Sequence, residues 1–331
     1  MACPDSGWRG WYDDAGPAAE RGSAALRGSL SHHGPPTTLR SARLAVTLLA
    51  LCGCSPAAAP AVPTSLPPQP AATAPATEVL PAPSPASTPT PVCAEAAGRV
   101  VEDSYPATLV EGQVPFRIYL PPCAGETGER LPVLYLLHGY PFDESHWDTL
   151  GIDEMVEAWI GAEQAPRLAL VMPLLPEPLF TGPKSGGAGS YEAELLQGLM
   201  PAVEAEYPVA RSPQQRAIAG ISRGGVWALE IGMRHPEVFA SVAALSPALS
   251  VNYAAPQYDP LVLVGTAEQL PQAVYLAAGA RDWARPKTEE LSEKLQSRAV
   301  PVLLEIVPGG HDAGAWLAAL PGLLTYVTSG W

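Results

Sequence analysis

From residue 114 onward, apolar positions follow two alternating patterns. VPFRIYLPP (114–122) alternates apolar and polar residues, as a half-exposed strand does. PVLYLLHG (132–139) and RLALVMP (167–173) are continuous apolar runs, which suit strands buried on both faces. RAIAGIS (216–222), ASVAALSPA (240–248), AVYLAAGARD (273–282) and VPVLLEIVPGG (300–310) predict four more strands. Between them, IDEMVEAWIGAE (152–163), SYEAELLQGLMPAVEAEY (190–207), RGGVWALEIGMRHP (223–236), KTEELSEKLQSR (287–298) and DAGAWLAALPGLLTYV (312–327) predict helices. Pro201 lies inside the second of these, so a kink or break is expected there. Strands alternating with helices imply an α/β domain over 93–331, with a mostly parallel central sheet and helices on both faces. No internal repeat is visible.

The first 92 residues show neither period. LAVTLLAL (44–51), preceded by Arg40 and Arg43, is too short to span a bilayer, which takes about 20 residues. It has the size and flanking charge of a signal-peptide hydrophobic region. Leu51-Cys52-Gly53-Cys54 resembles a bacterial lipobox, with small Gly53 before the candidate lipidation site Cys54; Cys52 departs from the usual small residue. Residues 1–54 therefore read as an unstructured extension plus a signal. Residues 55–92 hold twelve prolines and one charge, Glu78, and read as a disordered tether with polyproline II tendency. The expected location is extracytoplasmic: a bacterial cell envelope, with the protein lipid-anchored or secreted. Any membrane contact would be through Cys54.

Charge narrows the partners. Net charge is −14, and residues 55–331 carry 29 acids against 14 bases. Such a surface repels phosphate backbones and argues against a nucleic-acid partner. Five cysteines divide between the two regions. Cys93 and Cys123 are the pair left after processing at Cys54, and in an exported protein they read as a disulfide. Closing that loop of about 30 residues would contribute roughly 3.5 kcal/mol in the loop-entropy treatment. No Cys or His cluster has metal-ligand spacing, so no metal is expected.

The candidate chemistry lies at the predicted carboxyl ends of strands, where functional groups collect in this architecture. Gly220-Ile221-Ser222-Arg223-Gly224 places a serine between a strand and a helix, framed by glycines. A serine on so sharp a turn has a strained backbone and needs small neighbours. The same turn puts the Arg223 N–H at a helix start, where an unpaired donor can hold an oxyanion. A base must come from a loop that can reach the hydroxyl. His32 and His33 fall in the N-terminal extension, His138 precedes the serine, His146 reads as part of a polar loop, and His235 ends the following helix. His311, after the last strand on a glycine hinge, is the candidate. The acid should follow strand 273–278, as Asp282 does. Asp312 adjoins His311 and would point elsewhere; Asp259 has no clear strand before it. Ser222, Asp282 and His311 run in the chain order of an α/β-hydrolase. The Tyr140 N–H, after His138-Gly139, is the candidate second oxyanion donor; Pro141 has no N–H. Residues 174–190 should rim the site, with Phe180 a candidate slot residue. Trp147, Trp283 and Trp316 flank the catalytic segments as core, rim or stacking aromatics.

YLLHGY followed by HW, GISRGG, HPEVFASVAALSPAL, GARDW and PGGHDAGAW, in that order, resemble the esterase D-related family over roughly residues 100–328. That family includes S-formylglutathione hydrolases, feruloyl esterase domains, enterochelin esterases and antigen 85 mycolyltransferases. The resemblance implies an α/β-hydrolase fold and a serine esterase acting through an acyl-enzyme. Ser222, Asp282 and His311 would be its triad, and the Tyr140 and Arg223 backbone its oxyanion hole. No metal or organic cofactor is implied. The expected partner is a small-molecule or carbohydrate-linked ester. An acyltransferase using the same triad and an inactive envelope binding protein on the same fold are the alternatives. Oligomeric state and the acyl and alcohol parts are not legible.

Overall fold

The apolar runs read as strands all join one eight-stranded sheet, in its interior except for the last, 300–310, which forms one edge. The computed structural model describes residues 93–126, 128–180 and 186–331. The extension, the signal-like segment, Cys54 and the proline-rich tether lie outside the described residues, apart from the tether's junction at Cys93. The strands are β1 (Arg99–Pro106), β2 (Gln113–Leu120), β3 (Val133–Leu137), β4 (Ala169–Pro173), β5 (Arg216–Ile221), β6 (Ser241–Leu245), β7 (Ala273–Gly279) and β8 (Val302–Val307). Their spatial order is β1-β2-β4-β3-β5-β6-β7-β8. β2 runs antiparallel to both β1 and β4, and the remaining neighbours are parallel.

The continuous hydrophobic runs are needed because successive side chains enter opposite layers, both of them dry. In β3, Val133, Tyr135 and Leu137 join one apolar layer, while Leu134 and Leu136 join the other. β5 splits the same way, Ile218 against Ala217, Ala219 and Ile221. The first layer is covered by α3 (Tyr191–Glu194), α4 (Met200–Glu206), α5 (Arg223–Arg234), α6 (Pro260–Thr266) and α7 (Arg285–Ser297). The second is covered by α1 (His146–Thr149), α2 (Ile152–Gly161) and α8 (Ala313–Thr328). Each fully buried leucine contributes about 1.5–3 kcal/mol, so the strand centres are the firmest ground on which to mount a site.

Three local features differ from the sequence reading. β1 was not expected: in RVVEDSYP only Tyr105 is buried, and the polar edge hides its alternation. The helix around Pro201 neither breaks nor continues regularly. Leu195–Leu199 widens into a π-helical turn between α3 and α4, and that wider turn takes up the missing proline N–H and the bulk of its ring. His146 is not in a polar loop: it opens α1 and is 5% exposed. Where the folded region begins, the Sγ atoms of Cys93 and Cys123 are bonded, with Cα atoms 5.6 Å apart. Nearby, the Gly98 N–H donates to both oxygens of Glu157, each at 3.1 Å. Among the described residues no helix is long and apolar enough to cross a membrane.

Candidate active site

The turn after β5 is dictated by close backbone contacts. A Cβ on Gly220 would lie 2.2 Å from the Gly224 carbonyl oxygen, and one on Gly224 2.3 Å from that of His138. Only glycine fits at either place, and the two contacts press the strand end, the start of α5 and the end of β3 together. Ser222 between them has φ 53° and ψ −113°, a conformation rarely taken by a residue with a side chain. Its backbone is locked on both sides: its N–H donates to the Leu245 carbonyl at 2.9 Å, and its carbonyl accepts from Ala248 N–H at 3.0 Å. The side chain is thereby aimed at the carboxyl edge of the sheet.

Two further strand ends bring partners to it. His311 sits between β8 and α8. Its Nε2 is 2.9 Å from Ser222 Oγ, and its Nδ1 is 2.9 Å from Asp282 Oδ1. Asp282 follows β7 and its side chain is fully buried. Burial works to raise its carboxyl pKa, but the hydrogen bond and charge of His311 outweigh this. The Ser246 hydroxyl and the Ala284 N–H add to that effect, and the group is held below the ordinary carboxylate range. Asp312 turns away and caps α8, accepting from Ala315 N–H at 3.0 Å and from Gly310 N–H at 2.8 Å. Asp259 likewise caps α6 through Leu261 N–H at 2.9 Å. The structure thus brings together Ser222, Asp282 and His311, and gives the two rejected aspartates other work.

Beside the serine runs the turn 138–142. A Cβ on Gly139 would lie 3.4 Å from Ser222 Cβ, so the Tyr140 backbone borders the nucleophile position. Arg223 opens α5, where first-turn N–H groups have no intrahelical acceptor. Two buried histidines hold the turn. His138 Nε2 accepts from Leu175 N–H at 2.9 Å, so its proton sits on Nδ1, facing the Gly139 carbonyl at 3.0 Å. Burial brings its pKa down to about 4. His146 stacks on Phe142 with ring centroids 3.9 Å apart, and the Gly139 N–H points at its Nδ1 at 3.4 Å. Burial, then the charge of His138, brings its pKa down to about 3. Sequence reasoning missed this role of His146. The available signal was the apolar pair Trp147 and Leu150, which puts one side of the short helix into the core.

The aromatics divide. Trp147 and Trp316 are core residues, 1% and 3% exposed. Trp283 is 46% exposed and stacks on His311 with centroids 4.4 Å apart. Phe180 is buried at 2% and packs against His138 and Tyr140, so it forms part of the wall of the site. Arg223 contributes more than a backbone N–H: its Nε donates to the Phe180 carbonyl at 3.2 Å and its guanidinium to Asn252 Oδ1 at 3.1 Å. Trp227 Nε1 donates to the same carbonyl at 3.2 Å. Among the described residues no cluster of three His, Cys, Asp or Glu side chains could hold a metal ion.

With this geometry in hand, comparison with known proteins is informative. A family model described as "Putative esterase" matches residues 107–327. An endo-1,4-beta-xylanase/feruloyl esterase of Xylanibacter ruminicola is 30% identical over 138 residues, 39% of this chain and 19% of that protein. The chain therefore spans under a fifth of that relative. An acetyl esterase of Caldicellulosiruptor saccharolyticus is 24% identical over 225 residues, 57% of this chain and 80% of its own. A ferulic acid esterase structure superposes with TM-score 0.63 at 24% identity, covering 71% of this chain and 98% of that one. That likeness shows a shared α/β-hydrolase fold.

Proposed function

The chain belongs to this esterase family, a family of carboxylic ester hydrolases, and from that premise we propose that it is a serine esterase whose triad is Ser222, His311 and Asp282. The observation that carries the reading is the continuous path from Ser222 Oγ through both nitrogens of His311 to Asp282 Oδ1, each step 2.9 Å. With its Nδ1 proton directed at Asp282, the imidazole has Nε2 free to accept the serine proton. As Oγ attacks the ester carbonyl carbon, His311 takes that proton and the carbonyl oxygen becomes an oxyanion. The Tyr140 and Arg223 N–H groups receive it; losing one such donor typically costs about 3 kcal/mol of barrier. His311 then gives the proton to the departing alkoxide, leaving an acyl-serine. Water, deprotonated by the same imidazole, attacks the acyl carbon, and the serine oxygen leaves with the proton. Asp282 fixes the tautomer and stabilises the imidazolium throughout.

The substrate is a small-molecule or carbohydrate-linked ester. The names of the feruloyl and acetyl esterase relatives support this. So does the open aromatic rim of Tyr140 and Trp283, 59% and 46% exposed. We assign the protein to the cell envelope, lipidated at Cys54 and tethered by residues 55–92. The bonded pair Cys93–Cys123 suits an oxidising compartment.

The test is fluorophosphonate labelling with hydrolysis of p-nitrophenyl acetate, with Ser222→Ala alongside. Labelling at Ser222, and loss of turnover by about 10³-fold or more in the variant, are expected. A folded wild type that neither labels nor turns over would refute the reading.

A further inference from the structure

One buried hydroxyl beside the site has no part in the chemistry above. Ser246 follows β6, the strand lying between the one that ends at the nucleophile and the one that ends at the acid. It is 1% exposed and has φ 49°, in the left-handed region that is unfavourable for a residue with a side chain. The backbone is pinned there, since its N–H donates to the Ala277 carbonyl at 2.7 Å. A glycine would relieve the backbone strain, so any reason for serine must lie in its oxygen.

That oxygen has a defined polarity. Trp316 Nε1 is a donor only, and it donates to Ser246 Oγ at 3.1 Å. The serine proton is therefore left to point elsewhere. Asp282 offers an acceptor. Its Oδ1 accepts from His311 and from Ala284 N–H, at 2.9 and 2.8 Å. Its Oδ2 is buried and has no hydrogen-bond partner. A buried carboxylate oxygen left so is costly. Trp316 ties the two residues together: its Nε1 holds Ser246 Oγ and its ring lies 5.6 Å from that of His311, which in turn holds Oδ1. His311, the Ser246 hydroxyl and the Ala284 N–H all favour the ionised carboxylate.

We propose that Ser246 is a positioning residue for the triad: oriented by Trp316, its hydroxyl donates to Asp282 Oδ2 and holds the carboxylate so that Oδ1 stays on His311. The inference rests on the triad reading above. Taking the donor away leaves the carboxylate more basic and the field at the imidazole more negative. Both effects move the acid limb of the kcat/KM profile to higher pH.

Ser246→Gly and Ser246→Ala in the full chain, with p-nitrophenyl acetate as substrate, test it. Glycine relieves the backbone but takes the hydroxyl from Trp316 Nε1 and Asp282 Oδ2, so the Ser246→Gly Tm should lie at or below the parent's, and the acid limb is the readout that separates positioning from stability. The Ser246→Gly kcat should fall about three- to tenfold, with KM within about twofold and the acid limb about 0.5 pH unit higher. Trp316→Phe should shift the same limb by less. A Ser246→Gly enzyme with the parent's kcat and acid limb overturns the proposal. So does a loss of activity that follows a loss of Tm while the acid limb stays in place. A parent that is folded but neither labels nor turns over fails at the triad reading itself. An active, labelled parent with unaltered variants fails only here.

Discussion

Two turns meet at Ser222, and they are made rigid by different means. The turn after β5 is held by backbone against backbone: Gly220 and Gly224 approach neighbouring carbonyls too closely for any side chain. The turn after β3 is held by side chains: His138 and His146 are buried, neutral, and bonded to the main chain they support. The first device is insensitive to solution conditions, because nothing in it titrates. The second depends on two imidazoles staying uncharged in a dry place. A site built this way can lose the placement of the Tyr140 N–H while Ser222 remains in place.

The most damaging change to the first turn is Gly220→Ala. The new Cβ meets backbone atoms that cannot step aside, so a loss of about 3 kcal/mol or more is expected, with a drop in Tm and in fluorophosphonate labelling. Equal Tm and labelling would show that the close contact is not what sets this turn.

Acid should single out the second turn. A histidine whose folded pKa lies below its unfolded value stabilises the fold fully above about pH 6.5 and loses that contribution as pH falls towards the folded pKa. For His138, about 4 when folded, the loss should reach about 2 kcal/mol by pH 4.5. Asp153, pushed up to about 6 by burial, and His235, raised by its hydrogen bond to Glu192, act in the opposite direction. Both are common to parent and variant. The measurement is therefore the difference in Tm against pH between the parent and His138→Asn. The parent curve should fall more steeply between pH 6.5 and 4.5, and parallel curves would remove the histidine from the account.

Smaller effects separate side chain from backbone in the first turn. Arg223→Met keeps the backbone N–H proposed as an oxyanion donor but loses the bonds to the Phe180 carbonyl and Asn252. KM should rise about threefold while kcat stays within about twofold, since the wall loosens and the donor remains. A fall in kcat alone would give the guanidinium a role in the transition state. Trp283→Leu removes the ring stacked on His311. A half-exposed contact of this kind is worth about 0.5–1 kcal/mol to the imidazolium, so kcat should fall about two- to fivefold. No change would make Trp283 a rim residue only.

This contrast also marks how far the sequence could be read. Ser222, its glycines, His311 and Asp282 were legible because each stands at a strand end whose apolar run is visible. The strand-helix order then left few other candidates. His146 was harder to read: Asp143, Glu144 and Ser145 before it look like a polar loop, the apolar pair Trp147 and Leu150 was the one cue, and packing shows that the ring lies under Phe142 and beside Trp316. Phe180 was singled out as a slot residue, but its burial was not legible, because its glycine- and proline-rich stretch gives no period. Its burial follows from the carbonyl grip of Arg223 and Trp227. β1 escaped notice because an edge strand need bury only one side, and Arg99, Glu102 and Ser104 along it are exposed.

The sequence by itself determined the alternation of strands and helices, the two-layer core and the order of the catalytic candidates. These depend on local periodicity and on glycine sterics, which a chain carries wherever it folds. Only the tertiary structure decided which buried polar groups face one another: two neutral histidines behind the turn after β3, and a serine hydroxyl under the Trp316 indole. Those pairings are made between strands and loops distant along the chain. Their cost or benefit comes from exclusion of water, which no single segment can express before the layers close.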